Sequence, residues 1–173
     1  KVFANTGFQV NNPNRLTITL TNPNTDAITS MGFTDTYPAN LVNASAPNMT
    51  NTCGGTATAA AGAGSLSVSG ATIPASGSCT IEADLTATAA GAYTNTLLAN
   101  AVTSANATAG PAADVTADTT AYLPPTLIKS FAVATLNSGT STTLSLTLTN
   151  PASNPDAITD VLVDDTFPTG MTL

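Results

Sequence analysis

The sequence predicts an all-β fold: an antiparallel, immunoglobulin-like β-sandwich repeat followed by the first strands of a second repeat. Three observations predict it. Apolar and polar residues alternate with period two, as in Leu16-Thr-Ile-Thr-Leu-Thr21. Turn-forming clusters recur between short apolar stretches. Thr supplies 34 of the 173 residues, and a β-branched hydroxyl side chain suits the solvated face of a strand.

Along the chain, strands are expected over 16–21, 31–37, 63–69, 79–87, 93–101 and 114–123, and again over 144–149. Their separators are Asn11-Asn-Pro-Asn14, Asn22-Pro-Asn-Thr25, Pro74-Ala-Ser-Gly77, Ala89-Ala-Gly91 and Ala109-Gly-Pro111. These are residues that tolerate left-handed backbone or pre-set a turn. No segment reads as a helix. Residues 57–63 are rich in Ala, but Gly54, Gly55, Gly62 and Gly64 flank them and Thr interrupts them. The stretch 54–64 reads instead as a flexible crossover.

The chain contains a duplication. Lys1-Val-Phe-Ala and Leu16-Thr-Ile-Thr-Leu-Thr-Asn-Pro23 reappear as Lys129-Ser-Phe-Ala and Leu144-Ser-Leu-Thr-Leu-Thr-Asn-Pro151. Asp26-Ala-Ile-Thr29 returns as Asp156-Ala-Ile-Thr159, and Asp35-Thr-Tyr-Pro38 as Asp165-Thr-Phe-Pro168. Of 41 positions paired in this way, 16 are identical. The expected organisation is one whole repeat at 1–124, a Pro-containing linker at 125–128 and the N-terminal part of a second repeat at 129–173. Such a linker is stiff and would set successive repeats apart as a semi-rigid rod. The partial repeat cannot bury enough surface alone. It is therefore expected either to continue beyond Leu173 or to complete its fold against another chain.

Charge excludes several function classes. Three cations (Lys1, Arg15, Lys129) against ten acids give a net charge of −7, which is unsuited to neutralising phosphates, so no nucleic acid is expected as a partner. There is no His, hence no general base of the usual kind near neutral pH. No stretch approaches the roughly 20 apolar residues of a membrane-spanning helix, no membrane insertion is expected, and the first residues do not read as a signal peptide. There is no Trp and there are three Tyr, few platforms for sugar rings. No Gly-rich loop opens a helix for a nucleotide. No enzyme activity and no cofactor are expected.

Several motifs, taken as a set, carry a resemblance. They are Lys-x-Phe, Leu-Thr-x-Thr-Leu-Thr-Asn-Pro, Phe33-Thr-Asp-Thr-Tyr-Pro38, Thr52-Cys-Gly-Gly55, Cys79-Thr80 and Gly91-Ala-Tyr-Thr-Asn-Thr96. Together they resemble the bacterial conserved-repeat (DUF-eleven-like) β-sandwich domains of large cell-surface and secreted proteins. The resemblance spans the first repeat and the opening of the second. It implies an extracellular, cell-surface location and tandem spacers in adhesin-like or fibre-forming proteins.

Cys53 and Cys79 are the only cysteines. Their spacing is not CxxC and no His accompanies them, so a structural disulfide is expected rather than a redox or metal pair.

The lysines are more informative. Both occupy the same repeat position, and strand parity puts Lys1 on the face of Phe3 and Lys129 on that of Leu127 and Phe131. Asp35 shares a face with Met31, Phe33 and Tyr37, and its repeat equivalent Asp165 with Val161, Val163 and Phe167. Asn95 shares a face with Tyr93 and Leu97. An amine, a carboxylic acid and a carboxamide thus fall on apolar faces of one repeat. Two readings stay open: a Lys1–Asn95 isopeptide bond assisted by Asp35, or a buried Lys–Asp ion pair with the amide hydrogen-bonded nearby.

Asp156, Asp160, Asp164 and Asp165 crowd ten residues. They read as a solvated acidic loop, with calcium at Asp156, Asp160 and Asp164 the alternative. Glu82 and Asp84 read as outward charges that discourage edge pairing. The sequons at Asn43, Asn48 and Asn106 are expected by chance in this composition.

The function expected is that of a structural repeat module of an extracellular bacterial fibre, stalk or filament. It would give length, stiffness and protease resistance. Its partner is the protein itself, through neighbouring repeats or subunits, with strand donation as one mode of assembly. The alternative is an adhesin-type domain presenting loops to a glycan or protein ligand.

Overall fold

A computed structural model describes residues 1–172, and the chain divides into two compact units. The first comprises Lys1–Leu123 with Ser153–Pro155, the second Pro124–Ala152 with Asp156 onward. No helix occurs among the described residues; the molecule is all-β.

The strands of the first unit are β1 (Val2–Phe3), β2 (Gly7–Gln9), β3 (Asn14–Thr21), β4 (Ile28–Thr36), β5 (Leu41–Asn43), β6 (Thr50–Asn51), β7 (Thr56–Thr58), β8 (Ser65–Ile73), β9 (Ser78–Ala87), β10 (Gly91–Leu97) and β11 (Val115–Tyr122). They form one sheet of order β1-β3-β9-β5, with β6 also on β9, and two three-stranded sheets, β4-β8-β7 and β10-β11-β2. All pairs are antiparallel except β2 with β11.

Alternation decides the core. On β9, Cys79, Ile81, Ala83, Leu85 and Ala87 are buried while the residues between them are exposed or half-buried. In register beside them, Leu16 faces Ala83 and Ile18 faces Ile81. Their common face packs against Met31, Phe33, Leu66, Val68, Tyr93 and Leu97.

Two expected strands end four residues from where they were expected. The strand expected over 63–69 runs to Ile73, and burial shifts from Leu66 and Val68 to Ala71 and Ile73. Gly70, at φ +65°, supplies the irregularity that re-phases the strand. The strand expected over 93–101 ends at Leu97, before a turn with Asn100 at φ +62°.

The 54–64 stretch, expected as a crossover, contains β7, paired with β8. A Cβ on Gly55 would lie 2.4 Å from the Ser69 carbonyl oxygen, so the close approach requires glycine.

The reading of Glu82 and Asp84 as edge charges is corrected, because β9 is an internal strand between β3 and β5/β6. Both acids instead bind Arg15, at 2.9 and 3.0 Å. Thr17 and Thr50 also donate to Glu82, and Asn48 to Asp84. The Arg15 hydrogen bond is the chief reason the Glu82 carboxyl lies below its ordinary value.

A buried pair closes one end of the core. Tyr37 Oη donates to Asn43 Oδ1 at 2.9 Å, and Asn43 Nδ2 donates to the carbonyls of Ala60 and Ser65. This sequon asparagine is therefore a structural group. Burial, and then the Asp35 charge, raises the Tyr37 phenol well above its ordinary value. The fold holds the phenol proton more tightly than the unfolded chain does. Stability contributed by Tyr37 is therefore present below pH about 10 and lost above it, at up to about 1.4 kcal/mol per pH unit. Urea unfolding of wild type between pH 9 and 11 is expected to show this fall, and Tyr37→Phe to flatten it.

The second unit is a hairpin, β12 (Thr126–Phe131) with β13 (Leu144–Thr149), followed by 150–172 with no strand. β12 takes in Thr126, Leu127 and Ile128, residues at the expected linker. The hairpin repeats the register of the first unit: Phe131 faces Leu144 as Phe3 faces Leu16. A local motif repeats as well. Asn22 Nδ2 donates to the Asp26 carbonyl, and Asn150 Nδ2 to that of Asp156.

Candidate functional site

Three elements of the first unit bring one polar group each into the core. Lys1 precedes β1, Asp35 lies near the end of β4, and Asn95 is central in β10. Their neighbours Phe3, Met31, Phe33, Tyr37, Tyr93 and Leu97 are all buried, as parity requires. Asp35 and Asn95 are fully buried, and the Lys1 side chain is 1 % exposed.

The carboxyl of Asp35 bridges the other two. Lys1 Nζ donates to Oδ1 at 2.7 Å, and Asn95 Nδ2 donates to Oδ2 at 3.0 Å. Asn95 Oδ1 is buried and accepts no hydrogen bond. Burial lowers the Lys1 amine below its ordinary value, with the Asp35 hydrogen bond and charge opposing that shift only in part. The site thus joins an amine and a carboxamide through one carboxyl, out of water.

The equivalent pair in the second unit is present but open. Lys129 Nζ lies 2.6 Å from Asp165 Oδ1, with the two side chains 39 % and 22 % exposed. The Lys129 ammonium also sits 5.7 Å from the Phe167 ring centroid. Asp165 Oδ2, which corresponds to the oxygen that Asn95 reaches in the first unit, has no hydrogen-bond partner.

Cys53 and Cys79 form a disulfide, and no free cysteine remains among the described residues. It joins the segment between β6 and β7 to the second residue of β9.

Asp156, Asp160 and Asp164 lie outside the strands. Among the described residues, no three acids, cysteines or histidines come together as a metal site.

The family model for the domain of unknown function DUF7933 matches residues 1–117. The chain belongs to the DUF7933 family. No curated protein and no solved structure matches it. The matched DUF7933 region takes in the whole of the Lys1–Asp35–Asn95 site, the disulfide and every strand up to the start of β11.

Sequence reasoning missed the other buried amides of the DUF7933 domain. Asn14 and Asn22 are as buried as Asn95. Asn14 bonds Asn5 and Thr119, tying β3 to β11. Asn22 holds the carbonyls of Asp26 and Pro74. The repetition of Asn-Pro at 22–23 and 150–151 was the available signal for Asn22. The sequon Asn106 likewise accepts from the Thr29 amide and donates to the Ala27 carbonyl.

Proposed function

We propose that the DUF7933 chain is a structural repeat module of an extracellular bacterial fibre, stalk or filament. It supplies length, stiffness and protease resistance. Its partners are further repeats of the same fold, in the manner of the conserved-repeat surface domains its motifs resemble.

One observation carries this reading: repeat positions that are buried in the first unit are exposed in the second. Phe3, Ile18, Met31 and Leu41 are at most 6 % exposed, while Phe131, Leu146, Val161 and Met171 are 38–44 % exposed. Leu127, Ile128, Leu148 and Leu162 add to the uncovered apolar surface of the second unit. In the first unit Phe3, Ile18, Met31 and Leu41 share one buried core with residues of β8, β9, β10 and β11. The chemistry that fits the second unit is therefore a set of complementary strands like those four. Strand donation from a neighbouring subunit or repeat provides such a set.

Light scattering across a concentration series, with negative-stain microscopy, tests the proposal. The full chain is expected to assemble into elongated particles, and Leu146→Asp is expected to reduce assembly at least tenfold. A monodisperse monomer at every concentration would overturn it.

A further inference from the structure

We propose that Lys1 and Asn95 become joined by an intramolecular isopeptide bond, formed autocatalytically with Asp35 as the proton-transferring group. The inference stands on the three side chains alone and does not depend on the fibre reading.

The geometry supplies each requirement. Both reacting groups touch the same carboxyl, at 2.7 Å from the amine and 3.0 Å from the amide, so the amine and the amide carbon are held on one short bridge. The amide has a buried oxygen with no donor. Rotation of the Asn95 amide by half a turn about its last torsion exchanges nitrogen and oxygen with no change in shape. Oδ1 then faces Asp35 Oδ2, and the contact is a hydrogen bond when Asp35 carries a proton. The donor of that proton is Lys1. Desolvation favours the neutral amine, and a buried amine–carboxylic acid pair avoids two buried charges.

The step balances. The Lys1 ammonium passes a proton to the Asp35 carboxylate, and the freed amine attacks Cγ of Asn95 while the Asp35 hydroxyl polarises Oδ1. A proton from the attacking nitrogen moves by way of Asp35 to Nδ2. The Cγ–Nδ2 bond breaks, ammonia leaves, and the Nζ–Cγ amide remains. The proton that Asp35 took from the Lys1 ammonium passes last to the departing ammonia, which leaves as ammonium and returns Asp35 to the carboxylate; nothing is oxidised or reduced. Lys1 also lines a cleft with Ile18, Met31, Leu97 and Val102, through which ammonia can leave.

In the second unit, among the described residues, the amine and the acid meet but no carboxamide reaches Asp165 Oδ2. It serves as an internal reference in which an ion pair of the same residues has no amide to attack.

Intact mass spectrometry of the folded full chain, after reduction, is expected to read about 17 Da below the sequence mass, the loss of one ammonia. Succinimide formation at any Asn would give the same deficit, so connectivity decides. Trypsin cleaves after Lys1, Arg15 and Lys129, and both cysteines fall within 16–129, so the disulfide does not join separate peptides. A branched peptide linking 1–15 to 16–129 through Lys1 is expected. Asn95→Ala and Asp35→Ala should each give only linear peptides. Since both remove a buried partner that the fold relies on, Asn95→Asp provides a second line: it keeps an acyl group and is expected to lose about 18 Da, one water, in forming the same branch. Linear peptides alone from natively folded wild type would overturn the proposal.

Discussion

Asp35→Ala is expected to lower the unfolding free energy of the first unit by about 3–5 kcal/mol. Asp35 is the sole counter-charge of an amine that is 1 % exposed, and it is also the acceptor for a buried amide. Removing it leaves one ammonium and one N–H donor without partners inside a core of Phe3, Met31, Phe33 and Leu97. The same substitution at the repeat equivalent, Asp165→Ala, is expected to change stability by less than about 1 kcal/mol. The chemistry of the two pairs is identical and their distances nearly so, at 2.7 and 2.6 Å. Burial separates them, since water can solvate Lys129 but not Lys1, and measuring both substitutions in an Asn95→Ala background removes any contribution from a Lys1–Asn95 bond. Urea unfolding monitored by far-ultraviolet circular dichroism, with hydrogen exchange at the strand amides of each unit, run on both variants, measures the contrast. Equal losses at the two sites would show that burial does not set the value of the pair.

Cys53→Ser with Cys79→Ser is expected to cost about 3 kcal/mol, the loop-closure entropy of a bridge across 26 residues of sequence. The corresponding fall in Tm is roughly 10–15 °C for a unit of this size. The bridge anchors a segment with little other burial. Between β6 and β8 only short strands and turns intervene, and the Thr52 amide donates to the Thr80 carbonyl beside the disulfide. Differential scanning calorimetry of the oxidised chain and the double serine variant checks the magnitude. A shift under a few degrees would mean that the β6–β9 pairing already holds the segment in the unfolded ensemble.

Much of this could be read from residues in order. Period-two alternation located β3, β4, β9 and β11 to within a few positions, because each has one face in the core. The duplication predicted a strand over 144–149, which β13 occupies. Parity placed Lys1, Asp35 and Asn95 on apolar faces, since a strand's side chains alternate whatever their chemistry. Less legible were β5, β6 and β7, each two or three residues long. Strands so short have no period to detect, and pairing partners far away in sequence create them. Asn14 and Asn43 escaped for a related reason: an asparagine near a turn looks the same whether it faces water or a row of carbonyls.

Composition, alternation and repetition by themselves determined the all-β class, the duplicated register and the faces on which the unusual polar residues lie. Those are local properties, set by backbone pleat and the cost of exposing apolar side chains. Tertiary structure alone decided that β9 is internal, so that Glu82 and Asp84 bind Arg15 across strands rather than guard an edge. It alone decided that three groups separated by up to 94 positions meet on one carboxyl. It also decided that the same Lys–Asp pair is sealed in one unit and open in the other. Burial is a property of what packs on top, and that depends on strands distant in sequence.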